Sequence, residues 1–330
     1  MGGYALRRVL VALGLLVVLT AITYLLFNAV PTDPARLTCG KSCTPAIIAA
    51  NRVRLGLDEP LVAQYLHFLG GLVAGRDYGS GTAAFHCPAP CLGYSFREGE
   101  TVLHLIAQAL PVTLGVAAGA FVLWMALGVL SGVYTATHRG RIGDRVVMGL
   151  ALLGYSLPVF FIGLLLLVFV VIRWRLLPYP SYAPLQQAPL QWLQAMVLPW
   201  MSLAVVYAAF YTRLVRSEVL DVMNQDYIRT ARAKGVPERP LLWRHVLRAG
   251  LTPIVTAAGL DLAGLLGGAV ITEAVFNLPG LGRLAISAVT DYDLPVITGV
   301  TLVAASFVIL ANLIVDLAYA RLDPRVSFGT

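Results

Sequence analysis

Charged residues are scarce in this chain of 330 residues: they make up 12%, whereas hydrophobic residues make up 58%. The mean hydropathy of +0.78 is too high for an apolar core enclosed by a polar surface, so the composition excludes an ordinary soluble domain. Long runs without charge indicate a chain that crosses a membrane several times. The net charge of +7 would otherwise suggest nucleic acid, but excess Arg and Lys in membrane proteins collects in cytoplasmic loops. We therefore predict no nucleic-acid partner.

Sequence patterns of catalytic and nucleotide-binding sites are also missing. The 5 histidines all fall in loops or at the ends of apolar segments, and neither HExxH nor GxSxG occurs. Gly40-Lys41-Ser42 resembles the end of a phosphate-binding loop, but Ala35 stands where that loop needs its first glycine. We therefore expect no enzyme, no cofactor and no metal site in this chain. Energy for any work must come from a partner or an ion gradient.

Several apolar segments reach the length of about 20 residues that a spanning helix needs. They cover roughly residues 8–30, 104–136, 146–171, 193–213, 252–276 and 295–320. The first follows two arginines, as a signal peptide would, but its apolar run is too long for one, and we expect an uncleaved helix. The sequence predicts an all-α membrane protein with six transmembrane helices.

The distribution of Arg and Lys predicts the orientation of these helices, because positive charge favours cytoplasmic flanks. One side collects most of the arginines: Arg7, Arg8, Arg139, Arg141, Arg145, those between Arg213 and Arg248, Arg321 and Arg325. The short loops of the other side hold Arg173, Arg175 and Arg283. Both termini are therefore predicted to be cytoplasmic. The domains expected are an N-terminal helix (1–30), an external domain (31–100), a five-helix core (101–320) and a cytoplasmic tail (321–330).

The predicted external domain contains all of the cysteines. They form two CxxxC pairs, Cys39 with Cys43 and Cys87 with Cys91. An oxidising location on the external side of the membrane favours disulfides, although three pairings are possible. Zinc or an iron–sulfur cluster is the alternative. Within the same domain, apolar residues from Pro45 to Gly75 recur at helical spacing, and the remainder is predicted to be loop.

Three acids interrupt the apolar segments: Asp261, Glu273 and Asp316. An acid in hydrocarbon is costly unless it faces water, the helix bundle or a partner, so each is a candidate functional residue. Asp261 falls near the middle of its segment, Glu273 near the external end and Asp316 near the internal end. For Glu273 and Asp316, helix packing or a half-solvated helix end explains the charge as well. Asp261 is predicted to face a water-filled path or a partner chain.

A cytoplasmic loop over 217–248 contains the densest group of cations, in the stretch DYIRTARAKGVPERPLLWRH from Asp226 to His245. Strong helix formers up to Lys234, followed by Gly235 and Pro237, predict a short helix with a defined end. A second basic helix is expected to lead from Arg239 towards Pro253. Positive charge in a cytoplasmic loop is ordinary. The small residues and the placed glycine favour a docking surface instead of a simple connection.

The sequence DYIRTARAKG resembles the EAA loop of ABC importer permeases in the oligopeptide and dipeptide (binding-protein-dependent) transport family. Further stretches similar to the first, B-type permease of such transporters are RLGLDEPLVAQY (54–65), TEAVFNLPGLGRL (272–284), DYDLPVITG (291–299) and LIVDLAYARLDPR (313–325). The resemblance implies the type I importer fold, a multi-pass place in the inner membrane and a peptide substrate. Nickel chelates, haem and sugars are the alternative cargoes.

The same resemblance implies partners: a second permease, two ATPase subunits that bind ATP and Mg²⁺, and an external substrate-binding protein. It implies that the coupling helix contacting an ATPase contains Asp226, Tyr227, Arg229, Thr230, Ala231, Lys234 and Gly235. Asp261 and Glu273 would then lie on the translocation path or at the permease interface. An ion-coupled secondary transporter is one rival hypothesis, but no inverted repeat or paired broken helices are detectable. An intramembrane enzyme is the other.

Overall fold

The computed structural model describes residues 2–29, 35, 44–55, 57–78 and 85–322. In chain order the helices are α1 (Gly2–Ala29), α2 (Pro45–Leu55), α3 (Leu61–Ala74), α4 (Val102–Thr137), α5 (Ile142–Ser156), α6 (Val159–Leu166), α7 (Pro189–Met223), α8 (Asp226–Ala233), α9 (Leu247–Leu266), α10 (Val270–Val275), α11 (Leu281–Thr290) and α12 (Leu294–Leu322). Helix α6 continues as a π-helix over Leu167–Arg173. A helical turn over Glu238–Pro240 and a π-helix over Leu241–Val246 lead into α9.

The chain divides into two compact units. The first comprises Met1–Thr113, Leu266–Val270 and Pro279–Thr330, and the second comprises Leu114–Leu265 and Ile271–Leu278. In the first unit α12 packs along α1 and α11. Its core is formed by apolar side chains from the start of α4, from α11 and from α12, among them Val102, Ile106, Leu281, Val296 and Val300.

Helix α3 lies beside the C-terminal half of α1 in the first unit. The Tyr65 hydroxyl donates to the Val17 carbonyl at 3.0 Å and hydrogen-bonds the Thr20 hydroxyl at 2.7 Å. The Tyr24 hydroxyl donates to Gln64 Oε1 at 3.2 Å. These bonds satisfy polar side chains that face each other between two largely apolar helices, where unpaired groups would be costly.

Two antiparallel hairpins follow α3 in the region that the sequence predicted to be loop. Strand β1 (Arg76–Tyr78) pairs with β2 (Phe85–Cys87), and β3 (Tyr94–Ser95) pairs with β4 (Glu100–Thr101). The prediction of loop was wrong here because strands of two or three residues are too short to give a recognisable alternation of apolar and polar residues. Helices α2 and α3 occur where helical spacing predicted them.

The second unit is built from the C-terminal part of α4 and from α5 to α9. Helices α5 and α6 both pack against α7. The largest fully buried side chains include Trp124, Met196, Leu198, Tyr211 and Ile254. Helices α4 and α7 lie close together. Trp200 Nε1 on α7 donates a hydrogen bond of 2.9 Å to the Gly115 carbonyl on α4. A Cβ atom at Gly119 would lie 2.0 Å from the Trp200 ring, so only glycine fits that crossing.

Helices long and apolar enough to cross a membrane number four in the described part of the chain, or up to six if each bent helix pair is counted as one span. The predicted third span, 146–171, is not one straight helix: α5 and the α6 segment meet at a bend of 102°. The bend occurs because Pro158 cannot donate a backbone hydrogen bond and holds Leu157 in an extended conformation, with ψ 135°.

The predicted fifth span, 252–276, also differs from the structure. Helix α9 ends at Leu266, and Glu273 lies on the separate short helix α10. Between them Gly268 has φ +120°, a conformation that side chains with a Cβ rarely adopt. The helix is therefore interrupted at one of the small residues of this segment, Gly268. Hydropathy alone does not reveal the interruption.

Candidate coupling segment and buried charges

Helix α8 presents most of the residues that the resemblance assigned to ATPase docking. Ile228 is fully buried and is the single buried side chain of the helix, which packs against α7 and the π-helix over Leu241–Val246. The predicted residues on its other faces are exposed, apart from the partly buried Ala231: Asp226, Tyr227, Arg229, Thr230, Lys234 and Gly235. One apolar anchor thus holds a helix whose polar surface is free to contact another protein. Sequence reasoning did not single out Ile228. The available signal is its spacing: Ile228 lies one helical turn before Ala231 and Arg232, and residues three or four apart are neighbours on one face of a helix.

The C-terminal end of α8 is a Schellman motif. Gly235 has φ +81°, its N–H donates to the Arg232 carbonyl at 3.0 Å, and the Val236 N–H donates to the Ala231 carbonyl at 3.2 Å. No atom lies within 4 Å of a Cβ built on Gly235, so the demand for glycine comes from the backbone conformation and not from crowding. The helix end predicted from Gly235 and Pro237 lies where the sequence indicated.

A salt bridge closes the turn that follows α8. Arg232 Nε donates to Glu238 Oε1 at 2.7 Å, and a second guanidinium nitrogen donates to Oε2 at 3.2 Å. The Arg232 guanidinium holds the pKa of the Glu238 carboxyl below its usual value, and the carboxylate raises the pKa of Arg232. This two-point contact links the last turn of α8 to the helical turn over Glu238–Pro240. Sequence reasoning missed it because both residues read as ordinary surface charges.

Asp144, near the start of α5, is paired with a cation. Arg216 on α7 donates through Nε to Oδ1 and through a second nitrogen to Oδ2, each at 3.1 Å. The Gly140 N–H also donates to Oδ2, at 2.9 Å. The Asp144 side chain is only 7% exposed. The sequence interpretation passed over this acid because the predicted third span began two residues later, at 146.

Asp261 on α9 has a different environment. Its Oδ2 accepts a hydrogen bond of 2.6 Å from the Tyr211 hydroxyl on α7, and the Asp261 side chain is half-buried. Trp124 on α4 stacks on Tyr207 with ring centroids 4.6 Å apart, and its ring also lies 6.4 Å from that of Tyr211. Among the described residues no Lys, Arg or His forms a salt bridge with Asp261. The acid predicted to be deep in a span therefore has a neutral phenol as its partner.

Glu273 and Asp316 were the other two acids of the apolar segments. Glu273 on α10 is fully buried, so it does not lie at a half-solvated helix end. The side chain of Asp316 lies outside the described part of the structure. The structure does not bring Glu273 and Asp261 onto one continuous helix, because the break at Gly268 separates them.

In the first unit, the β3–β4 hairpin is tied to the start of α12 by polar contacts. The Ser95 hydroxyl donates to Asp293 Oδ2, and an Arg97 guanidinium nitrogen lies 2.8 Å from Asp291 Oδ1. Burial raises the pKa of the Asp293 carboxyl, against the effect of the Ser95 hydrogen bond. Sequence reasoning treated the DYDLP stretch only as a family resemblance. The contact could not be predicted because Ser95 and Asp293 are far apart in sequence.

The cysteines are described in part. Cys87 and Cys91 are joined by a disulfide and are both buried beside Tyr78 and Phe85. Cys39 and Cys43 lie outside the described residues. Within the described residues no group of three or more His, Cys, Asp or Glu side chains could hold a metal ion.

Comparison with known proteins agrees with this architecture. The model of the family "Binding-protein-dependent transport system inner membrane component" matches residues 128–328, and the model of its N-terminal region matches residues 1–117. A protein of Sinorhizobium fredii named as a peptide ABC transporter permease is 35% identical over 328 residues, covering 99% of this chain and 100% of the relative. The dipeptide transport system permease protein DppB of Escherichia coli is 33% identical over 347 residues, covering 98% of both chains.

A solved structure of the MetNI methionine ABC transporter in an inward-facing conformation shares the fold. It matches with a TM-score of 0.50 at 20% identity, over 67% of this chain and 97% of the solved chain. The fold is thus that of a type I ABC importer permease, in a multi-pass protein of the inner membrane. The chain belongs to the family of binding-protein-dependent transport system inner membrane components, and the two relatives above are named as peptide and dipeptide permeases. The resemblance seen in the sequence is confirmed.

Proposed function

We propose that this chain is one of two permease subunits of an ATP-driven peptide importer, with six spans and both termini in the cytoplasm. The observation that carries the proposal is the exposed polar surface of α8, held by buried Ile228 and ended by the Gly235 motif. A short rigid helix with several cations suits a groove on another protein. Permease relatives named for peptide and dipeptide transport support the peptide substrate.

In this proposal α8 is the coupling helix that docks on an ATPase subunit. ATP and Mg²⁺ bind to two partner ATPases, since this chain carries no complete phosphate-binding loop. Closure of the ATPases moves α8 as a rigid body, and α7 and the segment leading into α9 transmit that motion. Asp261 is assigned to the translocation path or to the interface with the second permease. Glu273, to which the sequence gave the same assignment, is buried within this chain. An external binding protein delivers the substrate.

The proposal is tested by reconstituting this chain with the second permease, the two ATPases and the binding protein in proteoliposomes. Peptide uptake is expected to require ATP and every partner. Uptake by this chain alone, driven by a proton gradient without ATP, would instead establish the ion-coupled rival. The substrate class is read from the molecule that co-purifies with the binding protein. A nickel chelate, haem or sugar in place of a peptide would contradict the peptide assignment.

Substitution of Gly235 tests the coupling helix directly. Gly235→Val places a β-branched residue at φ +81°, which costs on the order of 1–2 kcal/mol and disturbs the turn. We expect the variant complex to assemble but to lose substrate-stimulated ATP hydrolysis and uptake together.

The matched control is Gly99→Val, because Gly99 also has φ +71° and no atom within 4 Å of a built Cβ. That variant carries similar backbone strain away from α8 and is expected to keep its ATPase coupling. Normal stimulated hydrolysis and uptake in Gly235→Val would remove α8 from its assigned role.

A further inference from the structure

Asp261 is an acid in a candidate span whose charge is not balanced by the described part of the protein. Tyr211 donates to Oδ2, and Oδ1 accepts no hydrogen bond from any described residue. The Asp144 carboxylate, by contrast, receives bonds from a guanidinium and a backbone N–H. A carboxylate in a span that lacks a cation is favoured where it faces water or meets a cation from elsewhere. Half-burial leaves one side of Asp261 open to such a group.

Two tyrosines of α7, Tyr207 and Tyr211, lie near the acid. Tyr207 lies one helical turn before Tyr211, is half-buried, and is close enough to Asp261 to interact electrostatically with its carboxylate. Trp124 stacks on Tyr207 at 4.6 Å and holds that ring in place. Aromatic faces attract organic cations, and the attraction adds to that of a nearby carboxylate. A carboxylate beside aromatic rings matches the chemistry of an alkylammonium group.

We propose that Asp261, Tyr207 and Tyr211 form a transit site for the ammonium group of the substrate, which in a peptide is its amino terminus. This inference rests on the proposed function. Tyr211 fixes the carboxylate through Oδ2, so that Oδ1 is presented to the passing ammonium. Tyr207 supplies an aromatic face beside it. A single carboxylate gives a site weak enough to release its occupant, which a transport path requires.

A metal ion suits this arrangement poorly. Ca²⁺ takes six to eight oxygen ligands and Mg²⁺ requires octahedral coordination, whereas the described surroundings supply one carboxylate and two neutral phenols. A fixed cation on the second permease is the remaining alternative occupant. It predicts that removal of the charge breaks the complex, whereas a transit site predicts that the complex stays intact.

The test uses the complete transporter in proteoliposomes, with ATP inside and saturating amounts of loaded binding protein. Peptide uptake by the parent and by Asp261→Asn is measured against increasing 2-phenylethylammonium, with neutral 2-phenylethanol as the matched probe. We expect the ammonium to inhibit the parent and its half-inhibitory concentration to rise about tenfold in Asp261→Asn, as loss of one charged contact predicts. The alcohol should act equally on both complexes. Because both use the same binding protein, a difference belongs to the permease.

Three further variants and one assembly measurement serve as controls. Tyr207→Phe retains the ring and should keep the inhibition, whereas Tyr207→Ala should weaken it. Asp58→Asn removes one exposed negative charge outside the apolar segments and should behave as the parent. Equal inhibition of parent and Asp261→Asn, or no inhibition of the parent, would overturn the site. So would loss of the second permease on purification of Asp261→Asn. A parent without ATP-dependent uptake would overturn the proposed function instead.

Discussion

Two carboxylates of the second unit, each on a candidate spanning segment, have opposite environments. Asp144 is buried and receives two bonds from Arg216 at 3.1 Å. Asp261 is half-buried and receives one bond from the Tyr211 phenol at 2.6 Å. A carboxylate matched by a guanidinium is complete within the chain and stabilises one arrangement of α5 and α7. A carboxylate matched only by a phenol has no cation as a partner among the described residues of the chain.

The comparison includes a third carboxylate, Glu238, which is exposed to solvent. Glu238 and Arg232 have the same two-point geometry as Asp144 and Arg216, but both are exposed. Exposed ion pairs contribute little to stability, because water solvates each partner nearly as well. Chemistry alone therefore does not decide what an ion pair does. The degree of burial, which the tertiary structure sets, distinguishes the Asp144–Arg216 pair from the exposed Glu238–Arg232 pair.

The largest effect is expected from breaking the Asp144 pair. Arg216→Leu leaves a buried carboxylate without its cation, and such a group is strongly destabilising. We expect the largest fall in thermal unfolding temperature among the variants described, measured on purified protein.

The double variant Asp144→Leu/Arg216→Leu is the control for that prediction. It removes both charges, and replacing a buried pair by apolar residues is often neutral. It should therefore recover most of the lost stability. If Arg216→Leu is as stable as the parent, Asp144 is solvated and the contrast with Asp261 does not hold.

An intermediate effect is expected at the second carboxylate. Tyr211→Phe removes the donor to Asp261 but retains the ring, and should lower the free energy of unfolding by about 1–2 kcal/mol. Denaturant titration measures the difference. Tyr155→Phe is the matched control, because the Tyr155 hydroxyl makes no hydrogen bond with the described residues. A loss in Tyr211→Phe as large as that in Arg216→Leu would mean that Asp261, too, is completed within the chain.

The smallest effect is expected at the exposed pair. The Glu238 pKa is lowered below its ordinary value of 4.5 by Arg232. Its stabilising contribution is therefore present above about pH 4.5 and is lost as pH falls through the lowered pKa. Glu238→Gln should change stability at pH 7 by less than about 1 kcal/mol. Protection factors for hydrogen exchange in the 226–240 segment, which correct for the slower intrinsic exchange in acid, should fall in the parent on acidification but change less in the variant. Equal acid responses would exclude the pair as the cause.

Local features of the coupling segment were predictable because their causes are local. The helix formers of α8, the stop at Gly235 and the cations are adjacent in sequence, and the structure places the helix end there. The helices within 45–74 followed from their apolar spacing in the same way. The bend at Pro158 was missed although its cause is local, because a long apolar run outweighed one proline in the search for spans.

By itself, the sequence determined that the chain is a membrane protein, where most of its apolar helices lie, and which family it belongs to, because hydropathy and motifs are written in consecutive residues. Only the tertiary structure decided which acidic side chains have a cation as their partner. Arg216 is 72 residues from Asp144, and Tyr211 is 50 residues from Asp261. Partners at such distances are chosen by how the helices pack, and this choice gave one carboxylate a guanidinium and the other a phenol.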